Sequence, residues 1–239
     1  MSERKEEIAE FARNHPVGFL KRPPDFNRLP FLSAAKGFMV PKRIDLRDYC
    51  TQTEDQLNRP WCAAFAAAGF AENVLWRKND HFDQIDPAWI YRYAKMNDGD
   101  PNGDGTTLTA ALDALTDGNS PLFDRRKCQV RVLRSNGLAL RYAIHKYGCC
   151  LGGFNITREW YSIGKDSPYI VGNGSQAGIG GHAVLICGYD REGVWLQNSW
   201  GWRWGEYGFA RISWPCWSSQ WIYGAVIDNC LTDFKLTET

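Results

Sequence analysis

The chain lacks an apolar run long enough to cross a lipid bilayer, and its first ten residues are polar and charged. Because that start has no apolar core of signal-peptide length, we expect synthesis in the cytosol, while export by a route without such a signal stays open. The formal net charge is only +1, so no strong field points to a polyanionic partner. We therefore expect neither nucleic acid nor a membrane among its partners.

A disulfide framework and a metal centre are also not expected. The chain has eight cysteines, but thiols in a cytosolic protein stay reduced, so we interpret them as free. The loop Asp98–Gly103 carries oxygen side chains at alternate positions, as a calcium loop does. Its twelfth position is Thr109, which cannot supply the bidentate carboxylate of such loops. We expect no metal and no cofactor.

The chain has 239 residues, of which 44% are hydrophobic and 23% charged. This length and composition are sufficient for a substantial hydrophobic core. Residues 1–40 have a polar start and then a proline-rich stretch, which predicts an arm poor in regular structure. In the body, residues 41–239, helical patterns occupy about 41–127, and short apolar runs separated by glycine, typical of strands, occupy about 128–239. We expect an α+β fold with a cleft between the two halves, a common location for an active site.

The segment Cys62–Glu72 is rich in alanine and apolar at nearly every position, which predicts a buried helix. Pro60 lies just upstream and cannot sit inside a helix, so the helix is expected to begin near Cys62. Unsatisfied N–H groups at a helix start favour a thiolate and predict a lowered pKa for Cys62. A lone buried cysteine is more often just a small apolar residue, so a nucleophile needs partners elsewhere in the chain.

A nucleophilic thiol needs a base, and the base needs a group that orients it. His182 follows the glycine-rich loop 178–181 and opens a predicted strand, where a scaffold can position it. Asn198 ends the next predicted strand and can accept a hydrogen bond from an imidazole N–H, which fixes the tautomer. The other histidines are interpreted as structural or solvated: His15, His81 and His145.

These segments resemble the cysteine, histidine and asparagine blocks of papain-like cysteine peptidases. The matching blocks are Asp55–Phe65, Gly181–Val184 and Gln197–Ile212, the last of which contains the run Asn-Ser-Trp-Gly. The resemblance covers most of residues 40–229. It implies a two-lobed fold, with a helical left lobe, a strand-rich and barrel-like right lobe, and the active site in the cleft between them.

The resemblance implies that Cys62 is the nucleophile, that His182 is its base and later an acid toward the leaving amine, and that Asn198 orients His182. The Gln56 side-chain amide and the Cys62 backbone N–H would form the oxyanion hole. Trp200 would shield the Asn198–His182 hydrogen bond from water. Gln56 lies six residues before Cys62, while His182 and Asn198 lie 120 and 136 residues after it, close to the family spacing of about 130–150.

The same resemblance implies four substrate-binding positions. Gly105 matches the glycine whose backbone pairs with an extended substrate, and Gly153, Gly180 and Ala183 would line the second subsite. Because these residues are small and uncharged, we expect that subsite to prefer bulky apolar side chains.

Three residues beside Cys62 depart from the family pattern. An aromatic residue usually follows the nucleophile and a glycine usually lies two positions before it, so the departures concern the subsites for the leaving group. A family disulfide cysteine is also replaced, which agrees with a reduced protein. The residues found at these positions are Ala63, Pro60 and Arg59.

The function implied is that of an endopeptidase acting on peptide or protein substrates and held latent by its own N-terminal segment. An exopeptidase, or an acyl-transferase or ligase using the same residues, remains an alternative. A catalytically silent binding protein is disfavoured, because such proteins usually lose the nucleophile or the base. The arm is either a surface-packed leader or, along residues 13–36, a blocker of the cleft that buries its apolar residues: Phe19, Leu20, Phe26, Leu29 and Phe31.

Overall fold

A group of helices packs against an eight-stranded mixed sheet. The computed structural model describes residues 2–18, 23, 26–80, 84–117, 123–124, 126–170 and 177–228. Within those ranges, no helix has both the length and the hydropathy that a membrane span requires. The cysteines of the same ranges are all free thiols.

The helices begin where the sequence supplies capping side chains. The Asp86 carboxylate accepts a hydrogen bond from the Ala88 N–H at 2.8 Å, and Pro87 occupies the first helical position. Thr107 and Asn136 cap the next two helices in the same way. The α-helices are α1 (Ser2–Asn14), α2 (Cys62–Asn79), α3 (Pro87–Asn97), α4 (Leu108–Thr116), α5 (Gly137–Tyr147) and α6 (Trp214–Gln220).

The strands form one sheet in the order β2-β8-β3-β5-β6-β7-β4, with β1 paired to β5. Among the described residues, the strand pairings are antiparallel except that between β4 and β7. Because β1 joins β5, the sheet recruits a segment from the half of the chain that the sequence assigned to helices. The strands are β1 (Ile44–Asp45), β2 (Gln129–Leu133), β3 (Cys150–Ile156), β4 (Tyr169–Ile170), β5 (Gly180–Tyr189), β6 (Gly193–Gln197), β7 (Phe209–Ser213) and β8 (Trp221–Asp228).

Helix α2 lies between the two layers, packed against β5 on one side and against α3 and α4 on the other. It is buried around most of its circumference, which confirms the prediction from its alanine-rich sequence. It begins at Cys62, one residue after Trp61, which provides no side-chain capping bond. The first turn of α2 therefore points its N–H groups toward the junction of helices and sheet.

The second part of the N-terminal arm packs on the strand-rich side of the molecule. Phe26 is buried and meets the Tyr223 ring edge-on at 5.2 Å between centroids. The Leu32 N–H donates to the Val132 carbonyl at 2.9 Å, which attaches the arm beside β2. Among the apolar arm residues singled out from the sequence, Phe19 and Leu20 lie outside the described residues.

Candidate active site

The thiol of Cys62 lies where α2 meets β5. Cys62 is fully buried, and the backbone N–H of Ala183 faces its sulfur. Ala183 directly follows His182 in β5. The helical layer thus contributes the predicted nucleophile and the sheet contributes the predicted base, and the two come together although they are 120 residues apart in the chain.

His182 has its tautomer fixed by Asn198. Its Nε2 lies 2.7 Å from the Asn198 Oδ1, and because an amide oxygen can only accept, Nε2 carries the hydrogen. The second ring nitrogen, Nδ1, is buried and has no hydrogen-bond partner among the described residues. It therefore keeps a free lone pair. The Trp200 ring lies 4.5 Å from the imidazole, centroid to centroid, and is almost fully buried.

Gln56 is held by residues that follow Asn198. The Gln56 N–H donates to the Ser199 carbonyl at 2.8 Å, and the Ser199 hydroxyl donates to the Gln56 Oε1 at 2.7 Å. These two bonds direct the Nε2 group away from Ser199, where it donates to the Arg59 carbonyl at 2.8 Å and the Pro16 carbonyl at 3.1 Å. Sequence reasoning missed the positioning role of Ser199, although it lies inside the asparagine block.

The N-terminal arm runs through this site. The Pro16 carbonyl accepts from Gln56 Nε2, and the Gly18 N–H faces the Cys62 sulfur. A Cβ atom on Gly105, which has φ +76°, would lie only 1.4 Å from the Gly18 carbonyl oxygen. A peptide chain therefore lies directly against the glycine predicted to pair with extended substrate.

The other predicted substrate-binding residues lie beside the same stretch of β5. A Cβ on Gly180 would lie 2.3 Å from the Val17 Cγ2, so the arm also covers this position. Gly153 is opposite Ala183 in the β3–β5 ladder, and both residues are buried. The structure thus brings Gly153, Gly180 and Ala183 together on neighbouring strands.

On the other side of Gln56 the arm makes a polar contact that the sequence did not predict. His15 is 6% exposed, so of the two interpretations, structural or solvated, the structural one agrees with its burial. Its Nε2 lies 3.0 Å from the Asp55 Oδ1, and its ring stacks on Phe11 at 4.0 Å. Trp200 lies beside this pair, at 6.1 Å from the His15 ring, and Tyr161 stacks on Trp200 at 4.9 Å.

Burial shifts the pKa values of both Cys62 and His182 in this arrangement. Loss of water raises the pKa of the Cys62 thiol to about 11, although the N–H groups around the sulfur oppose the shift. Burial lowers the pKa of His182 to about 4, against the opposing effect of its bond to Asn198. The lowered pKa expected for Cys62 is therefore wrong for the covered site, because desolvation outweighs the helix start.

Comparisons with known proteins agree with this geometry. The family model described as "Papain family cysteine protease" matches residues 116–216, which include His182 and Asn198. Stem bromelain from Ananas comosus is 26% identical over 209 residues, an alignment that covers 79% of this chain and 96% of that protein. The chain is thus similar in sequence to papain-family cysteine peptidases.

Solved structures of papain-like peptidases share its fold. Xylellain, a cysteine protease from Xylella fastidiosa, superposes with a TM-score of 0.72 at 18% identity, covering 90% of this chain and 96% of that one. Digestive procathepsin L 3 of Tenebrio molitor larval midgut gives 0.63 at 17% identity, covering 94% of this chain and 78% of that one. At these identities the similarity shows the fold, and the α+β architecture expected from the sequence is confirmed.

Proposed function

We propose that this papain-like peptidase is an endopeptidase that uses Cys62, His182, Asn198 and Gln56, and that its own N-terminal segment keeps it latent. The observation that carries the proposal is the Pro16 carbonyl, which accepts from Gln56 Nε2 at 3.1 Å beside the Cys62 thiol. A peptide carbonyl in that position is where a scissile carbonyl would need to develop negative charge.

The proposed reaction follows from the tautomer of His182. Its free Nδ1 accepts the Cys62 proton, and the thiolate attacks the substrate carbonyl carbon, whose oxygen takes hydrogen bonds from the Gln56 amide and the Cys62 N–H. The imidazolium then gives its proton to the amine as the C–N bond breaks and an acyl-enzyme forms. Water, deprotonated by His182, hydrolyses the thioester and restores the thiol. Asn198 holds the ring throughout by its 2.7 Å bond.

The path of the arm supports an endopeptidase rather than an exopeptidase. The chain passes the Gln56–Cys62 centre and extends to both sides, with His15 at Asp55 and Gly18 at Gly105. A cleft that accepts a continuous chain in this way suits cleavage within a polypeptide. Acyl transfer to an amine would use the same residues, and product analysis in the presence of added amines separates it from hydrolysis.

The same contacts support latency. We propose residues 1–40 as a regulatory arm and residues 41–239 as the peptidase domain, with residues 15–18 as the blocking stretch. A tethered blocker competes at an effective concentration of about millimolar, so weak contacts suffice. Pro16 has a fixed φ and no N–H, which makes a stiff segment that is awkward to cleave.

The decisive experiment compares hydrolysis of small fluorogenic peptides by the full chain, by a variant lacking residues 1–25, and by each carrying Cys62→Ala. The deletion ends before Phe26 because Phe26 and Leu32 are buried in the core. We expect the deletion to raise activity and Cys62→Ala to abolish it with circular dichroism unchanged. Turnover that survives Cys62→Ala would refute the nucleophile, whereas equal rates with and without residues 1–25 would refute latency alone.

A further inference from the structure

Asp55 lies on the side of the catalytic centre that faces away from Gly105 and Gly180. It directly precedes Gln56, and its backbone pairs with that of Trp200. Its side chain is 39% exposed even with the arm in place. The Leu57 N–H donates to Asp55 Oδ1 at 2.8 Å and holds the carboxyl group in a fixed direction.

The arm shows what this carboxylate binds. His15 is the residue next to Pro16, whose carbonyl lies at Gln56 Nε2, so a side chain adjoining the catalytic centre reaches Asp55. The His15 Nδ1 lies 2.9 Å from the Phe11 carbonyl, and Nε2 lies 3.0 Å from the carboxylate. The Asp55 carboxylate can only accept, so the His15 ring donates to it from Nε2.

Within the described part of the chain, no side chain of the peptidase body pairs with this carboxylate. Among the contacts of the described residues, the only side chain paired with Asp55 is that of His15, and its other partner is the backbone N–H of Leu57. When the arm leaves, the partly exposed Asp55 carboxylate loses its side-chain partner. A substrate chain on the same path would offer its own side chain there.

We propose that Asp55 is a specificity-determining residue that binds a basic side chain of the substrate on the leaving-group side of the scissile bond. The side follows from the resemblance, which assigns Gly180 to the second subsite on the acyl side, opposite Asp55. Because His15 at Asp55 precedes Val17 at Gly180, the arm runs through the cleft in the opposite direction to such a substrate. The inference rests on the proposed peptidase function and adds its substrate class: peptides with arginine, lysine or protonated histidine just after the cleaved bond.

Hydrogen bonds to charged groups and partly exposed ion pairs together predict about a tenfold preference in kcat/KM for arginine over a neutral side chain of equal shape. The preference should shrink as salt is raised, because the carboxylate is partly exposed. These two signatures separate charge recognition from a structural effect of Asp55, which would change all substrates alike.

The test uses full-length chains, because the ratio of two substrates does not depend on how often the arm opens. Peptides that differ only by arginine or citrulline, placed at either of the first two positions after the scissile bond, are cleaved by the parent, Asp55→Asn, Asp55→Glu and Asp48→Asn. Asp48 is exposed and makes none of the described cleft contacts, so its variant removes the same charge elsewhere. Gly18→Ala is added to each chain to raise the rates.

We expect the arginine-to-citrulline ratio to be about ten in the parent, to fall to about one in Asp55→Asn, and to persist in Asp55→Glu and Asp48→Asn. A parent without this preference, or an unchanged ratio in Asp55→Asn, overturns the assignment while hydrolysis of the citrulline peptides still supports the peptidase. Failure of every chain to cleave any peptide would instead refute the proposed function and this subsite with it.

Discussion

A single methyl group on Gly18 is expected to activate the full-length chain. The Cβ of an alanine at position 18 would lie 2.4 Å from the Pro60 Cβ and carbonyl oxygen and 2.5 Å from its Cα. Those atoms belong to a proline two residues before the start of α2, so they cannot rotate away as the end of a flexible side chain can. Gly18→Ala therefore forces the arm, rather than the peptidase body, to move.

The size of the effect follows from the cost of overpacking. Inserting a methyl group into a packed site costs about 1–3 kcal/mol, and every 1.4 kcal/mol changes an equilibrium about tenfold. Gly18→Ala should thus raise the open fraction by about 5-fold to 150-fold. The rise ends when the activity reaches that of the chain without residues 1–25, in which the arm no longer enters the cleft.

Two measurements check this prediction. Hydrolysis of a neutral fluorogenic peptide reports the open fraction directly, and alkylation of Cys62 by iodoacetamide reports its ionisation. With a pKa of about 11 in the covered site, about one thiol in ten thousand is a thiolate at pH 7. Alkylation of the parent should therefore accelerate only as the pH rises toward that value, whereas Gly18→Ala should react at neutral pH.

Met39→Ala is the matched control, because Met39 belongs to the same arm but is 85% exposed. It should leave both rates at the parental level. Equal hydrolysis and alkylation by Gly18→Ala and the parent, with both chains folded, would contradict the reasoning. The arm would then not limit access to Cys62 in solution.

Two further predictions concern the residues that support the site. Ser199→Ala removes the 2.7 Å bond to Gln56 Oε1, which should lower kcat about fivefold to tenfold with little change in KM. The control Ser219→Ala, at an exposed position of helix α6, should leave kcat unchanged. An unchanged kcat in Ser199→Ala would deny Ser199 a positioning role. Burial lowers the pKa of His182 to about 4, so as the pH falls the unfolded chain binds this proton before the folded chain does. The free energy of unfolding should therefore fall by about 3 kcal/mol between pH 6.5 and pH 4. Urea unfolding of the parent and of His182→Gln at several pH values should show a smaller loss of stability at acid pH in the variant. If the stability of both proteins falls equally with pH, the lowered pKa of His182 is contradicted.

The regular elements that the sequence predicted are those with local signals. Asp86 and Pro87 mark the start of α3, the residues of β2 alternate in polarity, and those of α5 carry apolar side chains at helical spacing. Strand β8 was not predicted. It is covered on both faces and buried almost throughout, so it lacks the alternation of apolar and polar residues that identifies a half-exposed strand.

Some features of the site could be predicted from the sequence and others could not. Cys62, His182, Asn198 and Gln56 were found because their neighbours resemble a known family, and the structure brings their groups together. The contact between His15 and Asp55 could not be predicted, because the two residues are 40 positions apart and no sequence pattern links them. The pKa of Cys62 was mispredicted for the same reason: a helix start is a local feature, whereas burial depends on a distant segment.

The arm and a substrate use the same groups in the proposed mechanism, and this ties inhibition to catalysis. The Pro16 carbonyl accepts a hydrogen bond from the Gln56 amide, the Gly18 N–H faces the Cys62 sulfur, and His15 binds the Asp55 carboxylate. No substrate can be cleaved while these contacts hold, so changes confined to the arm scale the rates for all substrates by one common factor, the open fraction. Changes at Asp55 act twice, because they weaken the arm and alter selectivity, and only the ratio between substrates separates the two effects.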